Sequence, residues 1–363
     1  MIQFHSTDRP TSLHRYEGLT TYLESDDAPP KTLSSRQFAG LSAAEREAYD
    51  RGRVLHLSGG ILLNTPYLAQ AKRLLTDCFK ENVGSNSGHT GLMLSGNSTL
   101  GKTTIAKALM RFVYAQYARQ YPEFRDFGQR PVIYIEVPAA STGKLLMRRF
   151  ADFFGQSGRS SESMGSIRTR IVDLIAAAGT QLIVVDELHN LSKSSAGNGE
   201  SVDLLKDLHN DLAATFMYAG IDLTGGDLLA GPRGQQIAGR FKVLELSPYV
   251  YSNAADRITW KGLIASFEKQ LLLHDHENGT LLKHKDYLYA RTGGSLGSLG
   301  RLLTGSAIEA ITNPDIKLER IDRDLLDTRT VDFTAETRYA QWRARPGRTS
   351  PPASSRQEAA VPA

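Results

Sequence analysis

Cysteine is nearly absent from this 363-residue chain: Cys78 stands alone. One thiol excludes an intramolecular disulfide framework and any cysteine-built zinc site, and it points to a reducing, cytoplasmic compartment. Long apolar runs are missing too. A membrane helix needs about 20 consecutive apolar residues, and no stretch of the sequence approaches that. The opening Met1-Ile2-Gln3-Phe4-His5 lacks the shape of a signal peptide, so a soluble intracellular protein with no membrane partner is expected. Neither sign of charge dominates, with 43 Lys and Arg against 39 Asp and Glu and a formal charge of +4. A hydrophobic fraction of 40% with so balanced a charge excludes a disordered chain. No helix-turn-helix, zinc-finger or RRM signature is present, which argues against base-specific reading of nucleic acid.

Residues 1 to about 40 are polar and broken by Pro10, Pro29 and Pro30, the pattern of a loosely structured arm. Ser42-Ala43-Ala44-Glu45 is a capping box opening a helix to about Leu57, and Leu68, Ala71, Leu74, Leu75 and Cys78 set out a second helix over 66–81. From residue 90 the text alternates. Strand-like runs at 92–94, 132–135, 182–185, 216–219 and 243–246 are separated by helical patterns near 102–117, 144–154, 166–178 and 202–214. That order predicts an α/β domain, a parallel sheet sandwiched by helices. After Pro248 only helices follow, near 254–273, 285–291, 298–311 and 321–327, which predicts a small all-helical domain. The division expected is therefore an N-terminal arm with short helices over 1–65, an α/β core over 66–248, a helical lid over 249–342 and a disordered tail over 343–363.

Gly96-Asn97-Ser98-Thr99-Leu100-Gly101-Lys102-Thr103 matches G-x-x-x-x-G-K-[ST] at every fixed position, between a strand and a helix that begins with Thr104. Backbone N–H groups of such a loop close around phosphates, Lys102 reaches the β- and γ-phosphates, and the Thr103 hydroxyl ligates Mg²⁺. The apolar run 182–185 ends in Asp186-Glu187. Asp186 is suited to hold the Mg²⁺ shell and Glu187 to orient or deprotonate an attacking water. ATP and Mg²⁺ are the cofactors expected. Asp186-Glu187-Leu188-His189 also spells a DExH helicase box, but the helicase reading needs a second α/β domain, and the remaining chain reads as helical. His189 is read as a packed or hydrogen-bonding loop residue.

A strand, phosphate loop and helix core followed by a helical lid resembles the AAA+ ATPases, a branch of P-loop NTPases. Finer features resemble the TniB/TnsC transposition proteins within it. They are Asp186-Glu187-Leu188-His189-Asn190-Leu191, the segment from Ala28-Pro29-Pro30 through Tyr49-Asp50, Arg51 and Arg53 to Thr65-Pro66-Tyr67, and Thr292-Gly293-Gly294-Ser295-Leu296-Gly297-Ser298-Leu299-Gly300-Arg301-Leu302-Leu303.

The resemblance implies further roles. Arg240, just before the fifth strand, would be the arginine finger that completes a neighbour's site, the alternative being a surface arginine paired with a carboxylate. Arg301, on the lid helix, would be a sensor of the γ-phosphate. The first sensor should lie within Gly220-Ile221-Asp222-Leu223-Thr224, with Thr224 the better polar candidate and Asp222 a departure from the usual Asn or Thr. The family also implies self-oligomers on duplex DNA and a transposase partner. Lys144, Arg148, Arg149, Arg159, Arg168 and Arg170 against Asp152 and Glu162 give 143–170 a local charge of +4. That is suited to phosphate contacts, or else to a solvated helix face. The rival reading is a nucleotide-gated signalling or defence switch that makes no use of DNA. A replication-initiator-like loader shares the core but usually adds a C-terminal winged helix, for which the remaining chain looks too short. Most of the overall basicity belongs to the tail, where 343–363 carries four Arg and one Glu.

Overall fold

The computed structural model describes residues 11–25, 28–156, 162–191, 198–225, 235–236 and 238–344. They fall into two compact units. One comprises 11–25 with 66–246, the other 28–65 with 247–344.

In the first unit five parallel strands lie in the order β2-β3-β4-β1-β5: β1 Gly91–Ser95, β2 Val132–Glu136, β3 Leu182–Asp186, β4 Thr215–Gly220 and β5 Phe241–Glu245. The three inner strands are buried along their whole length, which is why they read as unbroken apolar runs. The outer strands β2 and β5 each end in an exposed residue. Helices cover the sheet: α4 Pro66–Asn82, α5 Lys102–Gln120, α6 Gly143–Phe153, α7 Met164–Ala177 and α8 Asn198–Asp211. On α5, Ile105, Leu109 and Val113 recur every four residues with Ala106 and Met110 beside them, and this stripe is buried on the sheet.

The expectation of a loosely structured start is corrected by α1, Tyr16–Glu24, which packs on α5. Leu19 is 1% exposed, with Tyr16, Tyr22 and Leu23 beside it at helical spacing. Arg111 of α5 donates to Tyr22 O and Ser25 Oγ, both at 2.7 Å, and lies over the Tyr22 ring. The sequence concealed this helix because Arg15 occupies the cap position and supplies no capping side chain.

The second unit is helical: α2 Ser35–Ala39, α3 Ala43–Gly59, α9 Ala254–Glu268, α10 Thr280–Lys283, α11 Lys285–Thr292, α12 Leu296–Thr312, α13 Arg323–Thr328 and α14 Phe333–Arg343. The Ser42–Glu45 capping box forms as its spacing requires. Residues 28–65 belong to this unit, with α3 packed on α12. Arg53 of α3, fully buried, donates to Leu272 O at 3.0 Å and to both carboxylate oxygens of Glu319 at 2.6 and 3.0 Å, and pairs with Asp50. α9 stops short of residue 273. It ends at Glu268, and the buried Leu271, Leu272 and Leu273, which continue the apolar pattern, lie beyond it, with Leu272 at a φ of 58°. α10 and α14 were not legible in the sequence. Among the described residues, no helix is long and apolar enough to cross a membrane. The tail from 345, Arg159 and Ile237 lie outside the described residues.

Candidate nucleotide site

Strand β1 is where the order of connections reverses, having β4 on one side and β5 on the other. In an open parallel sheet the crevice at the carboxyl end of such a strand is the ligand position. Gly96 follows β1 there with a φ of 150°, and a Cβ on it would lie 2.6 Å from Leu246 O. Only glycine lets the loop pass so close to the β5 exit. Gly101, with a φ of 92°, then turns the chain into α5. No side chain caps that helix, so its first N–H groups face the loop, an arrangement suited to phosphate. Thr99 also adopts a positive φ of 65°. Asn97, Ser98 and Thr104 are exposed, whereas Leu100 is buried and anchors the loop in the core.

Lys102 is 6% exposed and its Nζ donates to Gly96 O at 2.8 Å and Asn97 O at 2.9 Å. Burial depresses its pKa more than the nearby Glu187 and Asp186 raise it. A phosphate in the loop would give this ammonium its missing charge partner.

Asp186, 1% exposed at the end of β3, gathers the rest of the site. Its Oδ2 accepts from Thr103 Oγ1 at 2.9 Å and from Tyr134 Oη at 3.1 Å, and its Oδ1 from the Glu187 N–H at 2.8 Å. A hydroxyl and a carboxylate so placed beside a phosphate loop fit Mg²⁺, which takes one or two protein oxygens, substrate phosphates and waters. No cluster of three or more metal-binding side chains exists among the described residues, so nothing here forms an all-protein cage. Tyr134 was not foreseen from the sequence. Burial, then the Asp186 charge, pushes its phenol far above the ordinary range, so it is a fixed donor. Its signal appears only in the register. Glu136 faces Asp186 across the β2–β3 pair, which puts Tyr134 two residues away on the same face.

Glu187 leaves β3 with φ 56° and ψ 34°, a left-handed conformation rare outside glycine. His189, in the short 3₁₀ turn Leu188–Asn190, lies with Nε2 3.4 Å from Glu187 Oε2 and accepts the Ile221 N–H on Nδ1. Asn190 donates to Val137 O at 3.0 Å and ties this turn to the β2 exit. Thr224 is exposed and its hydroxyl donates to Glu245 Oε1, while Asp222 has a φ of 46°.

The structure therefore brings together Gly96 to Thr104, Asp186 and Glu187. Arg240 is placed elsewhere. It directly precedes β5, so it stands at the opposite end of the sheet from the phosphate loop, with its carbonyl accepting from Gly91 N–H. Its guanidinium donates to Asn210 Oδ1 at 2.6 Å. Arg301 is exposed on α12 in the helical unit. The basic segment is less free than its composition implies. Arg168 pairs with Asp211 and, at 3.6 Å, with Asp207, and Arg170 with Glu162 at 2.8 Å. Counting charge within 143–170 missed the two carboxylates that α8 supplies.

Among solved structures, the ORC2 protein of Aeropyrum pernix is similar. Its ADPNP–ADP complexes match with a TM-score of 0.55 at 17% identity, over 74% of this chain and 68% of that one. Its ADP form matches at 0.54 and 15%, over 76% and 71%. Cdc6p from Pyrobaculum aerophilum matches at 0.48 and 16%, over 70% and 64%. At such identities the likeness concerns the fold, which is that of a P-loop AAA+ protein with a helical C-terminal region. No curated protein matches. The family described as bacterial TniB protein matches residues 63–251, just over half of the chain, a span that holds the phosphate loop, Asp186 and Glu187. The chain belongs to the TniB family.

Proposed function

We propose that this protein is an ATPase that binds and hydrolyses Mg-ATP, oligomerises on duplex DNA and recruits or activates a transposase. The observation that carries the catalytic part is the convergence of Lys102, Thr103, Asp186 and Glu187 at the carboxyl ends of β1 and β3. The loop N–H groups and Lys102 would hold the β- and γ-phosphates. Thr103 and Asp186 would hold Mg²⁺, which when bound offsets phosphate charge and polarises the transferring group. Glu187 would orient the attacking water and accept its proton. Arg240, at the far end of the sheet from its own phosphate loop, suits service to a neighbouring subunit, where it would stabilise charge on the transferring phosphate. Arg301 would couple the helical unit to nucleotide state.

Membership of the TniB family supports transposition and DNA as the setting, and ORC2, a nucleotide-bound relative in fold, supports the nucleotide. Arg168 and Arg170 already face carboxylates, and Lys144, Arg148 and Arg149 of α6 are the other described basic residues of the segment, which would contact DNA. That neutralisation favours a second reading, a nucleotide-gated protein-interaction switch without DNA. The discriminating experiment is ATP-dependent sedimentation on nonspecific duplex DNA, wild type against Lys102→Ala and against Arg148→Glu/Arg149→Glu. Co-sedimentation lost in both variants, with ATPase kept in the second, is the expected result. A wild type that stays free of DNA with ATP sinks the transposition reading, and unchanged binding by the charge-reversed variant removes α6 as the DNA contact.

A further inference from the structure

The exits of β1, β3 and β4 are joined by two side chains. His189 Nδ1 accepts the N–H of Ile221, just past β4, at 3.2 Å. A neutral imidazole carries one proton, so the proton sits on Nε2, the atom that faces Glu187 Oε2 at 3.4 Å. Two residues on, the N–H of Leu223 donates to Ser95 Oγ at 3.1 Å. Ser95 is fully buried and directly precedes Gly96 of the phosphate loop. The β4 exit is thus pinned at 221 toward the general base and at 223 toward the phosphate loop.

Two further features mark this as a built arrangement. Glu187 and Asp222, on the two sides of the His189–Ile221 bond, both adopt left-handed backbone, with φ of 56° and 46°. Such conformations persist in non-glycine residues only where the surroundings hold them, and they gather at functional sites. Gly220 leaves no space between the strand end and the His189 turn, because a Cβ there would lie 2.7 Å from Leu223 Cδ2 and 3.3 Å from His189 N.

We propose that His189 is a positioning residue for hydrolysis. Anchored on the β4 exit through Nδ1, it sets the Glu187 carboxylate through Nε2–H, and the Leu223–Ser95 bond ties that setting to the phosphate loop. The proposal rests on the hydrolysis reading above and names what governs its general base. His189 stands in the Asp186–Leu191 motif, but its partner on the β4 exit emerges only when β3 and β4 lie side by side.

The test compares His189→Asn, His189→Gln and His189→Ala in the full chain. Asn retains an acceptor near the Nδ1 position but falls short of Glu187, whereas the longer Gln amide reaches it. Steady-state ATP hydrolysis is measured alongside affinity for a fluorescent ADP analogue and thermal melting. The expected result is kcat lowered at least about tenfold in the Asn and Ala variants, partial recovery in Gln, and nucleotide affinity within about twofold of wild type. Wild-type turnover in His189→Asn overturns the proposal, as does faster turnover, which would make His189 a restraint. Absence of any Glu187-dependent hydrolysis in the wild type, tested with Glu187→Gln, brings down the hydrolysis reading and this proposal together. Normal Glu187-dependent turnover with an indifferent His189→Asn brings down this proposal alone.

Discussion

Removing the Glu319 carboxylate tests how the helical unit holds its N-terminal helices. Arg53 is wholly buried, and Glu319 supplies two of its four hydrogen bonds, the others going to Asp50 and Leu272 O. The guanidinium also lies over the rings of Tyr49 and Phe38, at 4.7 and 5.5 Å. Breaking a buried pair from one side costs about 3–5 kcal/mol, because the remaining charge stays desolvated. Asp50 remains beside Arg53 in Glu319→Ala, which sets the expected loss near the lower end, about 3 kcal/mol. For a unit of this size that corresponds to a fall in melting temperature of about 10 °C. The double variant Arg53→Met/Glu319→Met, which removes both charges of the pair and keeps much of the volume, should cost distinctly less. Both tryptophans, Trp260 and Trp342, lie in the helical unit, so selectively excited tryptophan fluorescence reports its unfolding. Burial alone would raise the Glu319 pKa, but hydrogen bonds from His274 and Arg53 outweigh it and hold the carboxyl below the usual range. Its stabilisation is therefore complete above the ordinary carboxylate range and is lost as pH falls through the lowered folded value. A Glu319→Ala loss under about 1 kcal/mol, or a loss in the double variant as large as that of Glu319→Ala, would refute the reasoning.

Tyr134→Phe should raise the Mg²⁺ concentration needed for half-maximal ATPase activity several-fold. It removes one of the two donors that fix Asp186 Oδ2 while costing only about 1 kcal/mol of stability; an unchanged Mg²⁺ titration would show that Thr103 and the Glu187 N–H suffice. His209 is held down to about 4 by burial, with Arg240 and His89 adding to it. The unfolded chain thus binds the extra proton first, and the α/β unit should lose stability as pH falls from about 6.5 toward 4. Denaturant midpoints across that range check this, and His209→Gln should flatten the slope. Burial pushes the Cys78 thiol up to about 11, and the side chain is inaccessible. Native protein should resist alkylation at pH 8 until denaturant is added, which mass spectrometry of the labelled chain would show.

What the sequence made legible follows a physical rule. The inner strands are apolar throughout because both faces are covered, and their runs at 92–94, 182–185 and 216–219 match β1, β3 and β4 closely. Lys102, Thr103 and Asp186 could be singled out because the phosphate and Mg²⁺ chemistry expected of such a loop calls for those residue types at strand exits, and the fold sets Thr103 against Asp186. Tyr134, Ser95 and the double role of His189 were hidden because they depend on strand register and neighbour order, which local spacing does not encode. α1 was hidden for another reason. Its apolar stripe is short and it has no capping side chain, so only its docking on α5 makes it a helix. The ion pairs of Arg168 show the opposite error, a charge counted along the chain and cancelled across it.

The bond between Arg53 and Glu319 also fixes an order in time. The two residues stand 266 positions apart. At a synthesis rate of about 5–20 residues per second, α3 emerges from the ribosome roughly 13–50 seconds before its partner exists. During that interval the strands of the sheet are made while Arg53 has only Asp50, one turn back on its own helix, to pair with. The helical unit is therefore the last part of the nascent chain able to complete itself, however early its first helices are made. A truncation before residue 319 would release a chain that keeps every strand of the sheet and the helix α12 on which α3 packs, but whose Arg53 lacks the carboxylate that supplies two of its hydrogen bonds.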